Sequence, residues 1–329
     1  MNDTTINTLN IVAQHLNIRY GSFLLIIGNL GCLMNIFVFR SKSLHKTSFS
    51  VYFLATTCAD FILLNFVLLT RILQNGFLLQ IVQTNEFMCK LRGYLSSLTS
   101  SLSFSFFVLI SIDRYFSTHS KVHVRTWGNR YSLAIKLILC LTLFWMIISI
   151  HRFILYNINP ETSVCELKSG LYWWYRICYK IFINGLAPQI IVIFISTMII
   201  RNIRLVVNRR TCESLIDDCH TKTKHRRLQK LDHQLTSMLL IQSTILFVSF
   251  LPYNSELLYT TLSRNLIKSD VYLAWENVFI QFIHLSSYVF YSTNGYIFLA
   301  TNQLFRRCII RIFRGKESTL TSQSKLTFV

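Results

Sequence analysis

Charge is scarce in this chain. Asp, Glu, Lys and Arg make up 14% of its 329 residues, against about 25% in ordinary soluble domains. Proline and glycine are also sparse, with three and ten residues, which leaves little material for linkers between domains. Acid is the scarcer sign: 14 acidic residues face 33 basic ones, a formal charge of +19, which suits either nucleic acid or an anionic membrane face. Nine cysteines are too few and too scattered for a disulfide-rich scaffold, and no Cys/His spacing matches a zinc site. The first eighteen residues are polar, without a basic start and short apolar core. No cleavable signal peptide is expected, and the first long apolar run then serves as its own insertion signal. No nucleophile–base pair or metal-ligand cluster argues for an enzyme.

Apolar residues are plentiful. They make up 52% of the chain, and the mean hydropathy is +0.43. They fall into seven runs, at about Tyr20–Phe39, Phe49–Leu73, Leu91–Ile112, Tyr131–Leu155, Tyr175–Ile200, Leu235–Thr261 and Val271–Ala300. Each is close to or above the roughly 20 residues that a spanning helix needs. The expected fold is an all-α membrane protein, a seven-transmembrane helix bundle over 20–302. Segments 40–48, 114–136, 201–230 and 306–329 hold 23 of the 33 basic residues. By the positive-inside rule these are cytoplasmic and the N-terminus, 1–19, is extracellular. The positive charge then meets inner-leaflet lipid and cytosolic partners. Nucleic acid is excluded, since no separate basic domain exists to hold it.

One stretch organises the rest. Asp113-Arg114-Tyr115 closes the third run, and Cys89 lies 25 positions before Arg114, about 38 Å of helix at ~1.5 Å per residue and enough to cross a bilayer. In this pattern the chain resembles the rhodopsin-like (class A) G-protein-coupled receptors, whose third helix runs from a disulfide cysteine to Asp-Arg-Tyr. The resemblance extends over residues 20 to 314 through Asp60, Cys165, Pro188, Pro252 and Asn294. It implies a plasma-membrane receptor, without enzymatic activity, that binds an extracellular ligand, activates a heterotrimeric G protein and engages arrestin.

Position by position, the resemblance implies further roles. Cys89 pairs with Cys165, with Cys178 as the competing partner. Asp60, a carboxylate within an apolar run and so a functional candidate on its own, matches the family's sodium-binding Asp. Ser103 and Asn294 complete that set, while Tyr291 replaces a neighbouring serine. The alternative for Asp60 is a protonated, hydrogen-bonded residue that packs helices together. In helix one the family's Gly-Asn pair reads Gly31-Cys32, with Asn29 and Asn35 close enough in sequence to restore a polar contact. Trp145 takes the place of the usual helix-four tryptophan. In helix six, Phe250 replaces the usual tryptophan before the hinge proline Pro252, and Asp232, at the cytoplasmic end, is the acid expected to pair with Arg114. Asn294-Gly295-Tyr296-Ile297-Phe298 stands for Asn-Pro-x-x-Tyr. Ser196 and Phe298 therefore both lack the inner phenols of the family. Residues 303–315 read as a basic amphipathic helix lying on the membrane surface, with Cys308 either a palmitoylation site or a plain apolar cysteine. A disordered tail is expected over 316–329. Asn2 begins a glycosylation sequon.

Family pockets open in the outer half of the bundle. Ser96 stands where amine receptors carry Asp, and Tyr288 where opsins carry the retinal lysine, so neither ligand is expected. Arg71, Arg92, Ser96, Lys180, Tyr253, Asn254, Glu256, Gln281, His284 and Tyr288 are the expected lining. Lys180 either lines the pocket or snorkels to the interface. Several cations together with Glu256 fit a short peptide carrying both charges, or an anionic small molecule. The stretches 31–36 and 50–54 are similar to invertebrate FMRFamide-type neuropeptide receptors. A chemosensory receptor of the same fold is the second reading, and a seven-span transporter or channel the third, though the chain shows no internal repeat.

Overall fold

A computed structural model describes residues 2–39, 47–119, 123, 130–158, 165–167, 175, 177–213, 219–263, 266–301 and 306. The expected surface helix with Cys308, the C-terminal tail and the side chains of Asn2 and Asp232 lie outside the described residues.

Helix α1, Asn2–Phe39, begins far earlier than the apolar run at Tyr20, so residues 2–19 are a helical extension and not a separate N-terminal segment. Hydropathy misses this because the burial is a stripe. Leu9, Ala13, Asn17, Gly21, Leu24 and Gly28 are buried at helical spacing along one line, while the remaining faces before Tyr20 mix polar residues with the exposed Ile11 and Val12. The extension is tied down by Gln14 Nε2, which donates to the Gly76 carbonyl at 2.8 Å, and by Tyr20 stacked on Phe282 with ring centroids 6.0 Å apart.

Helix α2 runs Ser48–Asn75, with Thr47 accepting from the Ser50 N–H as its cap. It contains a π-helical segment, Leu63–Leu68. Helix α3 is Glu86–Thr118; the Asn85 side chain caps it by accepting from the N–H groups of Phe87 and Met88, and Glu86 sits favourably in its first turn. Helix α4, Tyr131–Leu155, leads into strand β1, Tyr156–Ile158, which pairs antiparallel with β2, Cys165–Leu167. Helix α5 opens with a second π-helical segment, Tyr179–Leu186, followed by Ala187–Glu213. Pro188 sits where the π-helical segment gives way to the regular helix, and its missing N–H leaves a carbonyl of the preceding turn without that bond. Helix α6, Cys219–Leu262, carries Pro252 inside it. Helix α7 comes in two pieces, Asp270–Ser286 and Val289–Thr301, joined at Ser287–Tyr288.

Six of these helices are individually long and apolar enough to cross a membrane. The seventh expected span is present as the two stacked halves of α7, of 17 and 13 residues. Interruptions of the spans are thus not confined to the two prolines: α7 breaks without one, and α2 and α5 widen into π turns. A core of aromatic and aliphatic residues from α2, α3, α6 and α7 fills the bundle. Outward faces are apolar, above all on α4, where Leu139, Leu143, Ile147, Ile150 and Ile154 form an exposed stripe. Trp145 turns inward on the same helix and donates from Nε1 to Ser105 Oγ at 2.8 Å.

Between α1 and α2 the polar contact is restored at two levels. Asn65 Nδ2 donates to Asn29 Oδ1 at 2.5 Å and Asn35 Nδ2 to Thr57 Oγ1 at 3.4 Å. Cys32 itself is buried.

Candidate functional site

The functional residues lie at three levels along the bundle. At one end, Arg114 lies against Asp113, its Nη2 and Nε donating to Oδ2 at 2.6 and 3.2 Å. The other carboxylate oxygen, Oδ1, accepts from Ser48 Oγ at 2.7 Å. All of this is buried or nearly so, which strengthens charge-assisted bonds. The guanidinium also covers the Phe49 ring, 4.8 Å from its centroid. Phe49 packs at 5.7 Å on Phe298, which stands edge-on to Phe53 at 4.4 Å. Where the phenol of Phe298 is missing, an aromatic stack therefore connects α7 to the arginine. Tyr115 turns toward Phe116 and His119. Ser196 is buried, and its Oγ has no partner among the described residues.

At the middle level Asp60 is fully buried. Ser103 Oγ donates to its Oδ1 at 2.6 Å and Asn294 Nδ2 to its Oδ2 at 3.1 Å. Sequence placed these three residues together, and the structure does the same. Asn294 Oδ1 has no partner among the described residues. Just above, Phe250 packs edge-on to Phe104 at 5.0 Å and to Tyr291 at 6.1 Å, closing the floor of the third level.

That third level is a cavity of about 310 Å³. Cys89 and Cys165, joined in a disulfide with Cα atoms 5.8 Å apart, pin the β1–β2 hairpin against α3, and Cys178 remains a free thiol. Arg71, Arg92, Ser96, Lys180, Tyr253, Asn254, His284 and Tyr288 all line the cavity, eight of the ten residues expected from the sequence. Glu256 and Gln281 do not. Glu256 lies two residues beyond Asn254, a rotation of roughly 200° about the helix axis, and its carboxylate sits behind His284. The links there run in order: Arg71 Nη1 is 3.2 Å from His284 Nδ1, and His284 Nε2 is 2.9 Å from Glu256 Oε2. A guanidinium can only donate, so Nδ1 accepts and Nε2 carries the proton. Gln281 stands beside Arg71 as an anchor, its Oε1 accepting from Arg71 Nη2 at 2.6 Å and from Asn17 and Asn75, each at 3.2 Å.

Sequence reasoning missed several contributors. Arg152, within the fourth apolar run, lines the cavity at 3% exposure. Its charge inside a span was the signal that could have found it. Gln74 accepts from Arg92 Nη1, and Asn184 accepts from Ser101 Oγ at 2.9 Å. Ser48 gave no signal, since a serine beside a helix start looks like a cap. Outside the spans, Lys268 reaches Glu276 at 2.7 Å, and that hydrogen bond raises its ammonium above the ordinary range.

A search of curated proteins returns no match. The family model of the 7 transmembrane receptor (rhodopsin family) matches residues 28–292. That interval contains the Asp60 cluster, the Cys89–Cys165 bridge, the Asp113–Arg114 pair and the cavity; the chain belongs to the rhodopsin family of seven-transmembrane receptors, multi-pass plasma-membrane proteins that couple an extracellular ligand to a heterotrimeric G protein.

Proposed function

We propose that the cavity opens to the cell exterior and receives the end of a short peptide, and that its occupation moves α6 outward about Pro252. Arg114 then leaves Asp113, and the opened inner face accepts the C-terminal helix of a G-protein α subunit. Asp232 supplies a second inner contact for Arg114 in this reading. The observation that carries it is the three-level arrangement: a polar cavity, Phe250 on its floor, and a buried Asp113–Arg114 pair at the far end. A proline within a helix removes a backbone hydrogen bond and makes a natural hinge. A charged hydrogen bond contributes about 1.5–3 kcal/mol, enough to bias a two-state bundle without locking it. Nucleotide exchange on a panel of purified G proteins, with the reconstituted receptor and pooled peptides, tests this. Peptide-dependent exchange is expected, falling at least ~10-fold in Arg114→Ala, because the opened inner face then lacks the charged group that makes one hydrogen bond of about 1.5–3 kcal/mol to the G protein; equal exchange in the folded mutant would remove the mechanism. A chemosensory role is the second reading, and the small cavity, about 310 Å³ and near the lower bound of ligand pockets, favours it.

Asp60, Ser103 and Asn294 would hold a sodium ion in this proposal. Their fit rests on a fully buried carboxylate with no cationic partner among the described residues and on the orphaned Asn294 Oδ1, which offers one more oxygen. The ion would supply the positive charge that a buried carboxylate otherwise lacks. Sodium chloride is expected to raise the Tm of the receptor above that in N-methylglucamine chloride, and Asp60→Asn to abolish the difference. Equal Tm in the two salts for the unmodified receptor would end the sodium proposal.

A further inference from the structure

The charges around the cavity do not balance. Arg71 from α2, Arg92 from α3, Arg152 from α4 and Lys180 from α5 all line it, and no Asp or Glu does so among the described residues. The nearest carboxylate in the network, Glu256, is already engaged by His284 at 2.9 Å. Buried cations are normally paired, because an unpaired charge away from water is costly. Here the three arginines are held by groups other than carboxylates: Arg71 by Gln281 and His284, Arg92 by Gln74, and Arg152 over the Tyr179 ring at 5.3 Å.

A second and independent observation concerns unmet hydrogen bonds. Arg71 Nε, Arg152 Nε, Ser97 Oγ and both polar atoms of the Asn254 amide are buried without a partner among the described residues, and all four residues line this cavity. Buried polar atoms are paired in the great majority of proteins, so an orphaned set around one cavity marks a wall whose hydrogen-bonding needs the described residues do not meet. Most of that set are donors, and the two guanidiniums can do nothing but donate.

We infer that the cavity takes a ligand group bearing at least two anionic oxygen centres, of the dicarboxylate type, with Arg152 and Arg92 as its ligand-contacting cations. Four helices each contribute one cation, so the positive charge surrounds the space instead of lying at one spot. A single carboxylate meets only part of it. Among the described residues no carboxylate lines the cavity to anchor a free amine. The inference deepens the receptor reading and depends on it for signalling, but not for binding. The same chemistry has two sources: a free small dicarboxylic acid, or a peptide whose last residue is Asp or Glu with its C-terminal carboxylate free.

Thermal-shift titrations of the purified full-length receptor test it, using the linear dicarboxylates malonate through adipate, propionate, cadaverine, and short peptides ending in Asp as free acid or amide. Dicarboxylates or free-acid peptides are expected to raise Tm, propionate and the amides to bind at least tenfold more weakly, and cadaverine to have no effect. The arm that responds identifies the source, and either arm supports the inference. Arg152→Gln and Arg92→Gln are each expected to weaken the dianion at least tenfold while leaving the ligand-free Tm unchanged or higher, since each removes a charge that no carboxylate pairs among the described residues. The inference is overturned if no dianion of either kind stabilises the folded receptor, if cadaverine does so equally, or if both variants bind as the parent does. Nucleotide exchange on the same samples separates the two readings. Dianion binding without exchange supports the inference and overturns ligand-driven activation; exchange driven by a neutral ligand does the reverse.

Discussion

Replacing Gly295 with alanine is expected to destabilise the receptor by about 1–3 kcal/mol, the cost of overpacking a closed interface, and to appear as a lowered Tm in detergent. A Cβ at this position would lie 2.5 Å from the Gly31 carbonyl oxygen and 2.8 Å from its C and Cα atoms. All three are backbone, so α1 and the second half of α7 must separate to admit the methyl group. The reciprocal change is the control. A Cβ on Gly31 meets the Tyr296 ring first, at 3.2 Å, a side chain and not backbone, so a few tenths of an ångström of adjustment admits it. Gly31→Ala is therefore expected to cost far less than Gly295→Ala. Equal effects would show that the close approach of the two backbones is not what fixes glycine at 295. The same contact accounts for the departure from Asn-Pro: proline also carries a Cβ and would meet the Gly31 backbone.

Asp113→Asn is expected to raise ligand-free nucleotide exchange by ~10-fold or more. The carboxylate accepts two hydrogen bonds from Arg114 and one from Ser48. Exchanging it for an amide removes the charge assistance, and about 1.5–3 kcal/mol with it; each 1.4 kcal/mol is a tenfold change in population. Ser48→Ala removes one of these three hydrogen bonds and leaves both bonds to Arg114 in place, so a smaller rise of a few-fold is expected. Basal exchange that stays flat in a well-expressed Asp113→Asn receptor would show that this pair does not hold the resting state.

The parts legible in the sequence share a cause: they lie on regular helices and can be counted from fixed anchors. Asp60, Ser103 and Asn294 converge as the spacing from Asp113-Arg114-Tyr115 and the other anchors implies, and Cys89 meets Cys165. The parts that were not legible have other causes. The π segments Leu63–Leu68 and Tyr179–Leu186 change the turn angle, yet Arg71 and Lys180 beyond them still line the cavity. Glu256 is close in sequence to the lining residue Asn254, but two residues' rotation turns it to His284. Arg152 stands near the end of a strongly apolar run, where hydropathy alone does not separate a lining charge from one at the interface. The early start of α1 was hidden because its buried stripe contains Asn17, a polar residue that donates to Gln281 at 3.2 Å.

That long first helix buttresses one wall of the cavity. Its 38 residues extend about 57 Å at ~1.5 Å each, nearly twice a hydrocarbon core of ~30 Å. The surplus turns are fastened to the α2 end at Gly76 and to α7 at Gln281. Gln281 is also the residue that holds Arg71, so α1 braces from behind a cation of the cavity wall.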